Sequence, residues 1–253
     1  TAASEPSHPM TSATNERKRL TEQTNYSVIG TRPIRHDGLD KVTGRAIYGA
    51  DVRIPGQMWA EVARSPHAHA VIENIDATQA LALPGVFAFI TGTDLAEAIT
   101  SEASKEIRWQ ADNIMATDTA RYRGHAVAAI AAIDRNTAIE AAKLVRVSYK
   151  PLPPILSVNQ AISEEATLIH PSAEFTDLGE PAQKTNIASH IKLAIGNSKA
   201  GFEQASLIVE RTAHLEMVHQ GYIEPHNATV NWDQDDRVSV WSSTQGMFGI
   251  RDQ

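Results

Sequence analysis

There is no cysteine anywhere in the 253 residues. Disulfides, thiolate zinc sites, thiol nucleophiles and protein-held iron–sulfur clusters are therefore excluded from this chain. A cysteine-free chain suits a reducing compartment, and the cytoplasm is the expected location. An excess of positive charge is also missing. The net charge is −7, so no non-specific nucleic-acid surface is expected. No apolar run approaches the length of a membrane span. The first 26 residues lack the apolar core of a secretory signal. They are rich in Ser, Thr, Pro, Glu and Arg, and 1–27 reads as a flexible arm. Arg17-Lys18-Arg19 is a small solvated basic cluster within it.

What is present suffices for one large domain or two small ones with a real core. Val28 to Asp51 is dense in Gly, Pro and charge, and reads as an extended entry loop. The trio Arg35-His36-Asp37 lies in that loop without supporting context. Gln57–Arg64 then reads as a strand with Met58, Ala60 and Val62 on one face. His67 and His69 share a strand face, but no third metal ligand lies near them in sequence. Val71–Ile75 is a further strand. Asp76 or Thr78 caps a short helix that Pro84-Gly85 ends. Val86–Thr91 reads as a buried strand, and Thr93-Asp94-Leu95 opens another short helix. The polar stretch from Thr100 to Thr117 reads as a surface excursion.

His125 to Ile133 is a nearly continuous apolar run, the pattern of a strand covered on both sides. Asp134 is a good N-cap for the alanine-rich helix Thr137–Lys143, and Leu144–Tyr149 follows as a strand. This strand, helix, strand unit has a parallel crossover as its default, with an antiparallel return as the alternative. Lys150-Pro151-Leu152-Pro153-Pro154 breaks the pattern, which places a domain boundary after it. Beyond a linking segment the pattern restarts at Asn186. Ile187–Ile195 and Leu207–Leu215 read as strands, and Gly196-Asn197-Ser198 as the turn before a short helix at Lys199–Ala205. His214-Leu215-Glu216 has the spelling of a zinc deaminase motif, which fails without cysteine.

The final stretch carries the densest polar set. Asn227–Trp232 and Arg237–Ser242 read as a hairpin around Asp233-Gln234-Asp235-Asp236. The hairpin delivers Ser243-Thr244-Gln245-Gly246 at its far end. A glutamine there offers two donors and an acceptor without charge. The following glycine lets the backbone approach a bulky ligand.

The strings Val218-His219-Gln220-Gly221-Tyr222-Ile223-Glu224-Pro225 and Val240-Trp241-Ser242-Ser243-Thr244-Gln245-Gly246 resemble the molybdenum-binding large subunit of the xanthine dehydrogenase, aldehyde oxidase and carbon monoxide dehydrogenase family. Ser65-Pro66-His67-Ala68-His69-Ala70, Leu83-Pro84-Gly85-Val86, Gly124-His125-Ala126-Val127-Ala128-Ala129 and Val147-Ser148-Tyr149-Lys150-Pro151-Leu152-Pro153-Pro154 resemble its first domain, in the same order. The resemblance runs from about Val28 to the end. It implies an α+β (mixed α/β) fold: a hammerhead-type domain over 28–155, a linking segment over 156–185, and the first part of a molybdopterin-binding domain over 186–253.

It further implies a molybdenum–pterin cofactor and hydroxylation of an electron-poor carbon, of aldehyde or N-heteroaromatic type, with water as the oxygen source. Electrons would leave through [2Fe–2S] clusters and FAD on partner chains. Gln245, flanked by Thr244 and Gly246, would face the cofactor's apical oxo ligand. An oxo group accepts hydrogen bonds, so a neutral amide donor suits it and a carboxylate would be repelled.

Glu224 is read as structural, accepting from backbone donors near Pro225, and His219 and His226 as polar packing. The family's catalytic glutamate and pterin loop lie in a portion beyond Gln253, so no catalytic residue and no metal ligand is assigned to this chain. It is expected to be inactive alone and to work with the C-terminal molybdenum-binding portion, an Fe–S subunit and an FAD subunit. A non-catalytic module that docks partner subunits is the alternative reading.

Overall fold

The computed structural model describes residues 27–99, 103–171 and 184–252. The expected N-terminal arm lies outside them. The chain divides into two compact units, residues 53–219 and a second that joins the chain up to Val52 with the chain from Gln220 on. The entry segment is not all loop. It holds a short helix α1 (Gly38–Val42) and a 3-10 turn at Gly49–Asp51. Asp37 sits between Arg35 and Lys41, whose cations hold its carboxyl far below the usual range. The trio at 35–37 is thus an exposed ion-pair cluster at a helix start.

Within the unit from Arg53 to His219 the structure builds two three-stranded antiparallel sheets. β1 (Trp59–Arg64) and β3 (Val86–Thr91) flank β5 (Ala126–Ala132), while β4 (Thr119–Ala120) and β6 (Arg146–Pro151) flank β2 (Ala70–Asp76). The apolar run at 126–132 takes the central place in its sheet, as its pattern requires. Val127, Ala128, Ile130 and Ala132 are buried.

β3 is an edge strand instead of a buried one, and Phe87 is 62% exposed. In β1 the expected inner face is also off. Met58 and Ala60 are exposed, and partial burial falls on Trp59, Glu61, Val62 and Ala63. Helix α2 (Thr78–Leu81) and helix α5 (Arg135–Leu144) close over the first sheet. Ala80 and Ala141 let the helices approach, and with Ile130 they form the core, ringed by Leu83, Val86, Phe89 and Leu144. The Asp134 side chain caps α5 by accepting from the Thr137 N–H at 2.8 Å.

The default parallel crossover does not form. After α5 the chain leaves the sheet of β5, and β6 pairs antiparallel with β2. This is the α+β alternative.

The polar stretch read as a surface excursion contains a helix. α3 (Gly92–Ala98) is followed by α4 (Lys105–Ile114), which Ser104 caps by accepting from the Ile107 N–H at 3.3 Å. The start of α3 lies so close to the Ala116 carbonyl that a Cβ on Gly92 would collide with it. α6 (Val158–Ala161) and α7 (Ser198–Gln204) complete the unit, α7 capped by Asn197 as its sequence indicates. The expected strands at 187–195 and 207–215 are not formed. Both segments run without a hydrogen-bonded partner strand among the described residues, and backbone extension becomes a strand only when a neighbour accepts its ladder.

A buried polar cluster ties α4 to β5. His125 is fully buried. Its Nδ1 accepts from the Arg121 N–H at 3.2 Å and its Nε2 donates to the Asp112 carbonyl at 2.9 Å. That network assigns the neutral tautomer. Tyr122 stacks on the ring at 4.2 Å, and the Tyr122 hydroxyl donates to the Asn113 carbonyl at 2.9 Å. Burial pushes His125 below its ordinary value near 6.5, and burial does the same to His170. A depressed folded-state value means that the unfolded chain takes up the proton first. The stabilisation is whole above about 6.5, and is lost as pH falls from there toward the folded-state value. The urea midpoint is therefore expected to fall between about pH 7.5 and 5.5. A His125→Gln variant should show a flatter profile, and an unchanged slope would remove His125 as the cause.

Candidate functional site

The closing hairpin is as the alternation reads. β7 (Ala228–Trp232) pairs antiparallel with β8 (Val238–Ser242), Val230 opposite Val240 and Trp232 opposite Val238. The acidic tetrapeptide makes the turn. Asp233 Oδ1 accepts from the N–H groups of Asp235 and Arg237 at 2.9 and 3.0 Å. Asp236 takes the left-handed conformation with φ 58° and accepts from Trp232 Nε1 at 3.2 Å. Asp and Asn tolerate that conformation better than most residues.

Burial runs opposite to the usual rule. The apolar face is open, with Val230 59% and Trp232 71% exposed, while Thr229 and Asn231 on the other face are half-buried.

At the open end the strands are fastened side chain to backbone. Asn227 Nδ2 donates to the Pro225 carbonyl at 2.9 Å and to Ser243 Oγ at 2.7 Å. Ser243 Oγ donates to the same Pro225 carbonyl at 3.1 Å, and Ser243 N–H to the Asn227 carbonyl at 3.3 Å. The chain then turns through Thr244, whose Oγ1 accepts from the Gly246 N–H at 3.3 Å, into helix α8 (Met247–Arg251). Thr244, Gln245 and Gly246 are all exposed. The Gln245 amide makes no hydrogen bond with the described residues. Two donors and an acceptor stand unengaged two residues from a fastened strand end.

Other sequence candidates resolve to packing. His67 meets Tyr149 edge-on at 5.1 Å, and His69 Nδ1 lies 3.0 Å from the Pro153 carbonyl. His214 pairs with Glu216 on the surface. His226 packs on Tyr222 at 4.5 Å. Glu224 departs from its reading: it is exposed and accepts no backbone donor among the described residues, because the Pro225 corner is held by Asn227 and Ser243 instead. Among the described residues no three His, Asp or Glu side chains converge on a point that a metal ion would fill.

Two features escaped sequence reasoning. One is Asn227, legible only as a strand-start residue. The other is Gly49, which packs against it from the entry segment.

Comparison with known proteins accounts for both parts of the chain. Residues 43–153 match the family model for the a/b hammerhead domain of aldehyde oxidase and xanthine dehydrogenase. Residues 179–253 match the molybdopterin cofactor-binding domain. The xanthine dehydrogenase molybdenum-binding subunit of Escherichia coli is 30% identical over 220 residues, covering 84% of this chain and 27% of that one. The nicotinate dehydrogenase large molybdopterin subunit of Eubacterium barkeri is 29% identical over 221 residues, covering 87% of this chain and 48% of that one. Among solved structures, the Cu,Mo-CO dehydrogenase in its carbon monoxide reduced state superposes with a TM-score of 0.73 at 27% identity, over 88% of this chain and 28% of that chain. The chain thus spans between a quarter and a half of the length of these relatives. Its two matched regions, in this order and on this fold, are those of one lineage: the chain belongs to the aldehyde oxidase and xanthine dehydrogenase family of molybdenum-dependent oxidoreductases, and comprises its hammerhead domain and the opening of its cofactor-binding domain.

Proposed function

We propose that this chain supplies the hammerhead domain and one cofactor-facing segment of a molybdenum hydroxylase. The substrate class is an aldehyde or N-heteroaromatic compound with an electron-poor carbon. The observation that carries the reading is the exposed, unengaged amide of Gln245 at the fastened end of a hairpin, inside the region that matches the cofactor-binding domain. The residues present fit the group. A neutral amide donates to an oxo ligand without placing charge beside it, and Gly246 leaves room for close approach. When bound, the molybdenum–pterin group supplies two-electron oxidation with oxygen derived from water. Gln245 holds and orients that group, with Thr244 and Gly246 shaping the turn.

The rest of the catalytic apparatus belongs to protein outside these residues. The [2Fe–2S] clusters need cysteine, which this chain lacks, so they and the FAD sit on partner chains or domains. Further strands of the cofactor-binding domain cover the open apolar surface. Leu193 is 88%, Ile195 100% and Met217 99% exposed, a pattern that a finished core does not leave. Among the described residues no helix is long and apolar enough to cross a membrane. The cytoplasm is the proposed location because a chain without cysteine suits a reducing compartment.

Native purification with metal analysis tests the reading. Molybdenum and iron are expected to co-elute with this chain and larger partners, and electron flow to an acceptor should require the assembled complex. A natively purified assembly free of molybdenum would end the hydroxylase reading and leave a docking module.

A further inference from the structure

We infer that Asn227 is a positioning residue for Gln245, held in place by Gly49; this rests on the role proposed for Gln245. Asn227 uses both donors of its amide at the strand end, one to the Pro225 carbonyl at 2.9 Å and one to Ser243 Oγ at 2.7 Å. Its Oδ1 is buried and has no hydrogen-bond partner among the described residues. Leaving a buried acceptor unmade costs stability. The arrangement therefore assigns the side chain's role to its NH2 group. Turning the amide over would set Oδ1 against the Pro225 carbonyl, so the orientation follows from the network.

Gly49 closes the other side. A Cβ at that position would collide with Asn227 Oδ1 and lie 3.2 Å from its Cγ. Only a residue without a side chain lets the entry segment press the amide into place. The two positions sit in the same compact unit, although they come from opposite ends of the chain.

Ser243 is the hinge of the argument. Its hydroxyl accepts from Asn227 and donates to Pro225, and its N–H bonds the Asn227 carbonyl. Two residues later stands Gln245, at most about 7 Å along the chain. Beyond Ser243 the turn has only the local bond from the Gly246 N–H to Thr244 Oγ1 before α8 begins. The Asn227–Ser243–Pro225 network is thus the fixed end from which the Gln245 amide projects. A displacement of about 1 Å at a reacting centre can cost on the order of a hundredfold in rate, so loosening this end acts on turnover and not on substrate affinity.

The test uses the molybdenum-loaded protein with its partners, comparing N227A, N227D, Q245A and N227A/Q245A. N227A and N227D are each expected to lower kcat about tenfold with KM and molybdenum content unchanged, because both remove the donors. N227A should shift the Mo(V) electron paramagnetic resonance signal in the direction that Q245A shifts it. On the Q245A background N227A should add no further loss. Multiplying losses, or full activity in N227D, would overturn the inference and leave Asn227 a merely structural residue. If Q245A itself is silent, the role of Gln245 fails first, so the two failures are distinguishable. Should N227A not fold, S243A and G49A probe the same contact. Each is expected to lower kcat without adding to Q245A, because each disturbs the Asn227 amide that fixes the strand end. Losses that multiply with that of Q245A, or full activity in S243A, would again refute the assignment.

Discussion

Gln245→Glu in the loaded enzyme is expected to lower kcat by about a hundredfold, and Gln245→Ala by about tenfold. The glutamine offers donors from an exposed amide that makes no hydrogen bond with the described residues. Alanine removes them and leaves space that water can enter, so part of the interaction is replaced. Glutamate keeps the size but inverts the sign. It sets acceptor against acceptor and adds a negative charge beside an electron-rich ligand. The order of the two variants is the decisive reading. A role of shape alone would make glutamate the milder change, and steady-state kinetics with molybdenum content measured in parallel separates the outcomes. Thr244 makes a local turn bond only, so a Thr244→Ser variant should stay near wild-type turnover.

Arg121→Leu is expected to destabilise the hammerhead by about 3 kcal/mol, read from the urea midpoint. The Arg121 side chain is 8% exposed and pairs with Asp112, which is 25% exposed. The same guanidinium donates to the Ile169 carbonyl at 3.0 Å and the Thr119 carbonyl at 3.3 Å. It therefore fastens the linking segment to the strand that precedes His125. Leucine leaves a half-buried carboxylate and two carbonyls without their donor. Lysine should recover only part of the loss, because an ammonium cannot serve three acceptors from one planar fork. Removing Asp112 as well should cost less than removing Arg121 alone, since no uncompensated charge then remains. Equal stability of Arg121→Leu and wild type would reduce this cluster to a surface ion pair.

Several elements were legible in the residues because their causes are local. Asp233 and Asp236 make the hairpin turn with their own side chains, and Asp134 and Asn197 cap the helices that follow them. The 126–132 run is apolar on both sides, and only a central strand buries both. The helix at Lys105–Ile114 also has local causes, the Ser104 cap and the apolar Ile107, Ala111 and Ile114 at helical spacing, but the polar residues between them make the stretch read as polar surface.

What depends on a distant partner was not readable. Strand β6 could pair beside β5 or elsewhere, and β2 settles it by offering an antiparallel edge. The segments 187–195 and 207–215 alternate as strands do, yet lie without a ladder among the described residues, because alternation describes a face and not its neighbour. By itself the sequence determined the hairpin, the caps, the central strand and, through the resemblance of its motifs, the family. The tertiary structure alone decided which strands share a sheet, and that Gly49 packs against Asn227. Such contacts join residues far apart in the chain, and no local periodicity encodes which two distant groups will meet.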